Sequence, residues 1–238
     1  MIKVDMHMHS GEDPKDGLRY PATALIDRAV ELGYDAIAIT LHGQVVADER
    51  VFDYAREKGL LLIRAIEWNI DGGDVLLYNI TQREAQKLVT FDALRACKRE
   101  RGKDLLVIAP HPFYPVGHSL QGNLERNIDL FDAIEYAQIH LPWFDRFNQQ
   151  AVRVAKKHNK PIIANSDSHN LWMFGRHYTL VDAEPTMPAI FDAIRAGRLQ
   201  PHSPPVSVRD CFRMFVFDPL LVRKKGQVME SFPPARAD

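Results

Sequence analysis

Residues 2–9 read Ile-Lys-Val-Asp-Met-His-Met-His, a short apolar strand that runs directly into two histidines. In extended backbone, residues i and i+2 point to the same side, so His7 and His9 can hold one ion together. An HxH pair alone is common. Its meaning therefore depends on which residues follow the other strands of the chain.

Short apolar segments alternate with helical patterns along most of the chain. Segments rich in Ile, Leu and Val without polar alternation are typical of strands covered on both faces, as in parallel sheets. The predicted strands are 2–6, 35–40, 60–66, 74–80, 105–109, 131–136 and 161–165. Apolar spacing predicts helices over 21–32, 143–158 and 186–196. The alternation predicts an α/β domain, as a closed barrel or, alternatively, as an open doubly wound sheet.

The composition is that of an ordinary globular protein, with 46% hydrophobic residues, 26% charged residues and a formal net charge of −1. Such a charge gives no field for capturing a nucleic acid, so we expect no stable nucleic-acid binding. The two cysteines, Cys97 and Cys211, are too far apart for a CxxC site and suit a reducing compartment. Without a targeting segment or a membrane-spanning apolar run, we expect a cytoplasmic protein with no membrane partner.

The sequence changes in character after residue 200, where Pro201, Pro204 and Pro205 cluster. We therefore predict one catalytic domain over residues 1–200 and an irregular C-terminal extension over 201–238. Phe212 and the apolar segment 214–217 are expected to pack the first half of this extension against the domain. The last few residues are expected to be loose.

Side chains that can bind metal ions follow the predicted strands one after another. The set comprises His7, His9, His42, Glu67, His111, His140, Asp167 and His169. In parallel α/β folds, the C-terminal strand ends share one face, so these residues should converge there. Imidazole and carboxylate ligands suit Zn, Mn or Fe better than Mg or Ca. Because the ligands outnumber those of one tetrahedral ion, we expect two or three divalent ions.

Several of these segments match a known family in order. They are Asp5-Met6-His7-Met8-His9-Ser10, Ile39-Thr40-Leu41-His42, Ala65-Ile66-Glu67, Ala109-Pro110-His111-Pro112, Asp132-Ala133-Ile134-Glu135-Tyr136 and Asn165-Ser166-Asp167-Ser168-His169. Over about residues 2–197 the chain resembles the PHP family, named for polymerase and histidinol phosphatase. The resemblance implies a distorted seven-stranded (β/α) barrel, a di- or trinuclear metal centre and, usually, phosphoesterase activity.

The resemblance also implies a role for each ligand. His7 and His9 would bind a first ion with Glu67 and Asp167. Glu67 would bridge to a second ion held by His111 and His140. A third ion would be held by His42, His169 and an acidic residue of the first loop, for which we choose Asp16 because Asp16-Gly17 resembles the family's motif. Glu12 and Asp13 remain alternatives.

The chain departs from the family pattern at three places. Leu41 stands where the family usually has Asp, and the loop from His9 to Asp16 is longer than typical. The segment Tyr136-Ala137-Gln138 replaces a commoner pattern before His140. The first two departures concern the third ion, and the last concerns the alignment at His140.

Cationic side chains near the last motif are candidates for substrate binding. Arg176 and His177 lie a short loop beyond His169 and could hold phosphate oxygens, the alternative being an ordinary surface pair. His118, in the loop after His111, could also face the substrate. We include His177 with Glu67 and Asp167 among the candidate catalytic residues.

The predicted function is the hydrolysis of a phosphate ester by a metal-activated water. The expected substrate is a small phosphorylated metabolite or nucleotide, and the expected form is a free-standing enzyme. No GxGxxG or Walker pattern indicates a nucleotide cofactor. Two alternatives remain: a metal-dependent amidohydrolase, which usually has a carboxylated lysine where this chain has Glu67, and a non-catalytic metal-binding protein. The sequence leaves the oligomeric state open.

Overall fold

A computed structural model describes residues 1–214 and 227–232. The strands of these residues form one mixed sheet in the order β7-β6-β5-β4-β3-β2-β1-β8-β9. They are β1 (Ile2–Asp5), β2 (Ala36–Ile39), β3 (Leu61–Ile70), β4 (Gly73–Tyr78), β5 (Leu106–Ala109), β6 (Ala133–Tyr136), β7 (Ile162–Ala164), β8 (Tyr178–Val181) and β9 (Leu199–His202).

Helices cover the connections between most of these strands. They are α1 (Ala22–Glu31), α2 (Glu49–Glu57), α3 (Gln82–Ala85), α4 (Phe91–Arg101), α5 (Gly122–Arg126), α6 (Arg146–Lys157), α7 (Met187–Arg195) and α8 (Val208–Phe212). The three predicted helices correspond to α1, α6 and α7. Helix α6 begins later than predicted because Leu141 and Phe144 pair in a backbone turn just before it. In the described part of the chain, no helix is long and apolar enough to cross a membrane.

The prediction of a parallel sheet is wrong for β4, which runs antiparallel to both β3 and β5. The cause is a two-residue turn between β3 and β4, where Asp71 and Gly72 have φ angles of 48° and 82°. Asp-Gly is a preferred sequence for a hairpin turn that needs positive φ at both positions. Strands β8 and β9 are also antiparallel additions, beside the parallel β1.

The sheet curls into a barrel that closes between β7 and the β1–β8 pair. The hydroxyl of Thr179 donates to the Ala164 carbonyl (2.8 Å) and accepts from the Ala164 amide (2.9 Å). Beyond the strand ends, Met8 and Ser168 form a parallel bridge. The predicted barrel is thus confirmed, although nine strands rather than seven make up the sheet.

The barrel interior fixes the end of β1, from which the HxH segment emerges. Tyr78 of β4 is fully buried, and its hydroxyl donates to the carbonyl of Met6 at 2.7 Å. Thr40 lies on the other side, where its hydroxyl accepts from the Met8 amide at 3.2 Å. The backbone on both sides of His7 is therefore held by the core.

The C-terminal part of the chain returns to the first loop. The Met229 amide donates to the Gly11 carbonyl, and the Ser231 hydroxyl donates to Glu12. Phe232 packs edge-on against Tyr54 of α2. Phe212, expected to pack on the domain, is 57% exposed, and the expectation for residues 215–217 lies outside the described residues.

Replacing Gly11 with Ala should displace this returning segment. A Cβ atom there would lie 2.6 Å from Cβ of Met229 and 2.9 Å from the Tyr20 carbonyl oxygen. Overpacking of this kind costs about 1–3 kcal/mol of unfolding free energy. Urea denaturation of the metal-free protein measures the loss. Gly117→Ala is the matched control because a Cβ there meets nothing within 4 Å; equal midpoints for both variants would contradict the packing.

Candidate metal centre

Eight of the nine predicted ligands come together at the C-terminal ends of the parallel strands. They form overlapping groups in which the ligand atoms lie within 4.8 Å of one another. The groups are His9–Asp16–His42–His169, His7–His111–Asp167, His7–His9–Glu67 and Glu67–Asp74–His111. The sharing of His7, His9, His111 and Glu67 between groups makes this one cluster rather than several separate sites.

Glu67 lies within β3, between the groups. Its Oε2 atom is 3.4 Å from Nε2 of both His7 and His9, and 3.2 Å from Nε2 of His42. Its Oε1 atom lies 3.3 Å from Nε2 of His111. The two carboxylate oxygens therefore face different histidines, as a ligand that bridges two cations requires.

Asp167 faces the HxH pair from the end of β7. Its Oδ1 atom lies 3.3 Å from Nε2 of both His7 and His9. The two Nε2 atoms are themselves 3.3 Å apart. This geometry matches the sequence argument that His7 and His9 point to the same side of an extended backbone.

The three acidic residues of the first loop have different surroundings. Oδ2 of Asp16 lies 3.2 Å from Nδ1 of His42 and 3.1 Å from Nε2 of His169, which places Asp16 among the potential ligands. Glu12 accepts hydrogen bonds from the Ala22 amide at the start of α1. Its surroundings are those of a helix cap. The geometry thus favours Asp16 over Glu12 as the loop ligand.

Asp13 holds the rings of His9 and His42 through hydrogen bonds to their Nδ1 atoms, a role that the sequence analysis missed. Its Oδ2 atom accepts from Nδ1 of His9 (3.1 Å) and from both the ring and the amide of His42 (3.0 and 2.7 Å). Its Oδ1 atom accepts from the Lys15 and Asp16 amides, which shapes the loop. A carboxylate on the second nitrogen of a ligating imidazole fixes the ring's orientation and tautomer.

Glu135 of β6 supports His7 in the same way and was also missed, although it lies within a quoted motif. It is fully buried, with Oε1 3.0 Å from Nδ1 of His7, and it accepts from the side chain of Asn165 and the amide of His111. The available signal was an acidic residue within an apolar strand whose end faces the cluster. A buried carboxylate needs several hydrogen-bond donors, so its neighbours had to supply them.

The backbone is strained at two of the ligands. His111 and Asp167 have φ angles of 26° and 41°, in the left-handed region that residues other than glycine seldom adopt. Strain of this kind costs about 1–3 kcal/mol at each residue and persists only where surrounding contacts impose it. Both residues lie shortly after the end of a strand, where the chain enters the cluster. The strain therefore occurs where the ligands converge.

The electrostatics of the cluster fit divalent cations. Oε2 of Glu67 and Oδ2 of Asp16 are buried without any hydrogen-bond partner, although imidazole nitrogens surround them. Burial would raise the pKa of Glu67, but the neighbouring charge of His7 and the hydrogen bond from His111 to Oε1 hold it well below its usual value. Orphaned carboxylate oxygens and converging imidazoles suit a cation, because buried charges need a partner.

Two histidines of the group that contains Asp16 hold protons firmly in the metal-free protein. Burial opposes protonation of His42, but the hydrogen bond to Asp13 and the nearby carboxylate of Asp16 outweigh it and raise the pKa of His42 to about 11. Burial and the nearby carboxylate of Asp16 compete in the same way at His169, whose pKa rises to about 9. A cation binding here must therefore displace protons.

His140 and His177 lie outside the ligand groups found among the described residues. The His140 ring packs edge-on against Tyr136 and lies 6.4 Å from the ring of His177. Burial, then the charges of His140, His202 and Arg176, lowers the pKa of His177 to about 3. His177 is fully buried, and its Nδ1 atom lies 2.8 Å from the hydroxyl oxygen of Ser203. The roles of His140 as a ligand and of His177 in catalysis and substrate binding stay predictions.

The two remaining substrate-binding candidates differ in position. Arg176 is 44% exposed, pairs with Asp210 and lies over the Trp172 ring. His118 lies beside the cluster, with its ring 5.9 Å from that of His111, and pairs with Asp74. Asp74 was missed because it begins a strand that was expected to be parallel. The antiparallel direction of β4 brings that N-terminal end to the ligand face.

Parts of the chain are similar in sequence to known proteins. The family described as PHP-associated matches residues 145–199. A segment of 78 residues, 32% of this chain, is 33% identical to the PolC-type DNA polymerase III of Halalkalibacterium halodurans. In Bacillus subtilis the corresponding polymerase matches 93 residues at 30% identity. These segments make up only 5% and 6% of the two polymerases.

Solved structures share the fold at low sequence identity. A two-domain protein of Bacteroides vulgatus, described as containing a PHP-like metal-dependent phosphoesterase, has 24% identity and a TM-score of 0.65 over 85% of this chain and 64% of its own. PsfC of Pseudomonas syringae has 17% identity and a TM-score of 0.65 over 92% and 98%. The lesion-specific endonuclease Q of Pyrococcus furiosus has 16% identity and a TM-score of 0.58 over 84% and 57%.

The similar structures establish the fold and leave the substrate open. The chain shares its barrel with structures described as PHP-like, and its residues 145–199 match the PHP-associated family.

Proposed function

We propose that the chain is a metal-dependent hydrolase that cleaves phosphate esters, with a phosphomonoester of a small metabolite or nucleotide as substrate. The position of Glu67 carries this proposal, since its two oxygens face different sets of histidines in one buried cluster. Two or three divalent ions held there, as Zn, Mn or Fe, would lower the pKa of water and neutralise phosphate oxygens.

The protein's own residues would hold and orient these ions. We assign the ligand roles to His7, His9, Asp16, His42, Glu67, His111, Asp167 and His169 on the basis of their convergence. Asp13 and Glu135 fix the rings of His9, His42 and His7 through their second nitrogens. The ligands therefore need little rearrangement on binding, which is what rapid catalysis at such a centre requires.

A second candidate is cleavage of nucleic acid. The similarity of parts of the chain to PolC-type polymerases and of its fold to endonuclease Q favours this alternative. The net charge of −1 opposes capture of a polymer, because phosphate neutralisation by Lys and Arg dominates nucleic-acid affinity. Cleavage at the terminal nucleotide of a short oligonucleotide would be consistent with both the similarity to DNA-acting proteins and the net charge.

The direct test is hydrolysis by the purified protein with added Mn²⁺ or Zn²⁺. We expect turnover of p-nitrophenyl phosphate that a chelator abolishes, and no comparable turnover of an amide substrate. A panel of phosphorylated metabolites, nucleotides and short oligonucleotides then separates the two substrate classes by kcat/KM. Turnover of amides alone would favour an amidohydrolase, and metal binding without any turnover would favour a non-catalytic protein.

His7→Ala and His42→Ala should differ in effect. His7 is fully buried and contacts both Glu67 and Asp167, whereas the His42 side chain is 14% exposed and belongs to the group with Asp16 and His169. We expect His7→Ala to abolish turnover at every Mn²⁺ concentration and His42→Ala to recover part of it with excess Mn²⁺. Equal, complete loss in two variants with unchanged circular dichroism would contradict this ranking.

Metal binding should release protons and strengthen with pH. His42 and His169, with pKa values of about 11 and about 9, are protonated near neutral pH and must be neutral to bind a cation. Calorimetric titration with Zn²⁺ in two buffers of different ionisation enthalpy counts the released protons. We expect fewer protons from His42→Ala. Binding without proton release, and with an affinity that does not change between about pH 6 and pH 9, would refute the protonated state.

A further inference from the structure

A carboxylate–imidazole pair lies beside the metal centre. Nδ1 of His118 donates to Oδ2 of Asp74, and the Asp74 amide donates to the His118 carbonyl at 2.8 Å. The other carboxylate oxygen, Oδ1, accepts from the side chain of Asn69 at 2.9 Å. The Asp74 side chain is 6% exposed, whereas that of His118 is 51% exposed. A buried carboxylate thus holds an imidazole that is exposed to solvent.

The loop that carries His118 is fixed on both sides. Gly73 lets it approach β4 closely, since a Cβ there would lie 2.7 Å from Cδ2 of Leu120. The hydroxyl of Ser119 donates to the carbonyl of His111 at 3.1 Å, and this hydroxyl group is buried. These contacts fix the position of the His118 loop relative to His111, one of the candidate ligands.

Asp74 is hydrogen-bonded to both His118 and Asn69. Its ligand atoms lie near those of Glu67 and His111, but both of its oxygens accept hydrogen bonds from side chains of the protein. With Nδ1 of His118 turned to Asp74, only Nε2 remains to meet a substrate. The His118 ring stands edge-on to that of His111, with 5.9 Å between the ring centroids. A substrate bound at the metal centre would therefore lie close to the His118 imidazole.

We propose that His118, held by Asp74, gives a proton to the leaving oxygen of the ester. This proposal rests on the proposed phosphoesterase function. The bond between phosphorus and the leaving oxygen breaks, its electron pair stays on that oxygen, and the proton on Nε2 moves to it. The attacking water forms the new bond to phosphorus and loses its proton to solvent, and His118 regains a proton from solvent.

The carboxylate favours this role over that of a phosphate clamp alone. A buried carboxylate on the far nitrogen orients an imidazole and stabilises its protonated form, so it supports proton donation. Protonation of the leaving group matters most when that group is a poor one. An alkoxide needs the proton, whereas p-nitrophenolate leaves without it.

The test compares an alkyl phosphate with p-nitrophenyl phosphate for the wild type, His118→Asn, Asp74→Asn and the double variant. We expect His118→Asn to lower kcat on the alkyl ester by about 10²- to 10⁴-fold and to have a far smaller effect on the p-nitrophenyl ester. Asp74→Asn should act in the same direction, and the double variant should be no slower than His118→Asn alone. The metal content of His118→Asn, measured by elemental analysis, should equal that of the wild type.

The matched control is His158→Ala, because His158 lies at the end of α6 and pairs with Glu125 at 3.2 Å. It should leave both rates unchanged. Equal losses on the two esters, or no loss on either, would overturn the role of His118 and leave the phosphoesterase proposal standing. If the metal-loaded wild type hydrolyses neither ester, the proposed function itself fails, and the role of His118 fails with it.

Discussion

Glu67 is buried among four imidazoles, and much of the molecule can be understood as a means of keeping it there. Its oxygens lie 3.2 to 3.4 Å from Nε2 atoms of His7, His9, His42 and His111. Only 3% of the residue is exposed, so the carboxylate cannot exchange these neighbours for water. A charge in such a place needs cations or protons as partners. At such a site, protons and divalent cations would compete.

The fold supplies the contacts that this arrangement requires. The barrel brings strand ends that are distant in sequence to one face, and buried groups such as Tyr78 fix the backbone beside the ligands. Asp13 and Glu135 orient the rings from the outer side. Positive φ angles at His111 and Asp167 show that the ligand positions are imposed on the backbone by their surroundings. Stability and function are thus linked through the same few hydrogen bonds.

The sequence predicts the barrel and most of the cluster because both depend on local signals. A buried strand followed by a ligand residue is visible without knowledge of contacts, as at Glu67 and Asp167. What depends on strand direction was not visible: the Asp-Gly turn reverses β4 and brings Asp74 to the ligand face. Roles that depend on side-chain partners, such as that of Asp13, were also missed. The return of residues 227–232 to the first loop is a long-range contact with no local pattern.

The central claim is that these ligands form one multinuclear centre with Glu67 between two ions. Anomalous diffraction from crystals loaded with Mn²⁺ or Zn²⁺ tests it most directly, because it places each ion independently of any activity. The account predicts two or three peaks in the cluster, with neighbouring ions about 3.5–4 Å apart and one oxygen of Glu67 on each of two ions. A single peak after loading with excess metal, or peaks that Glu67 does not touch, would contradict it.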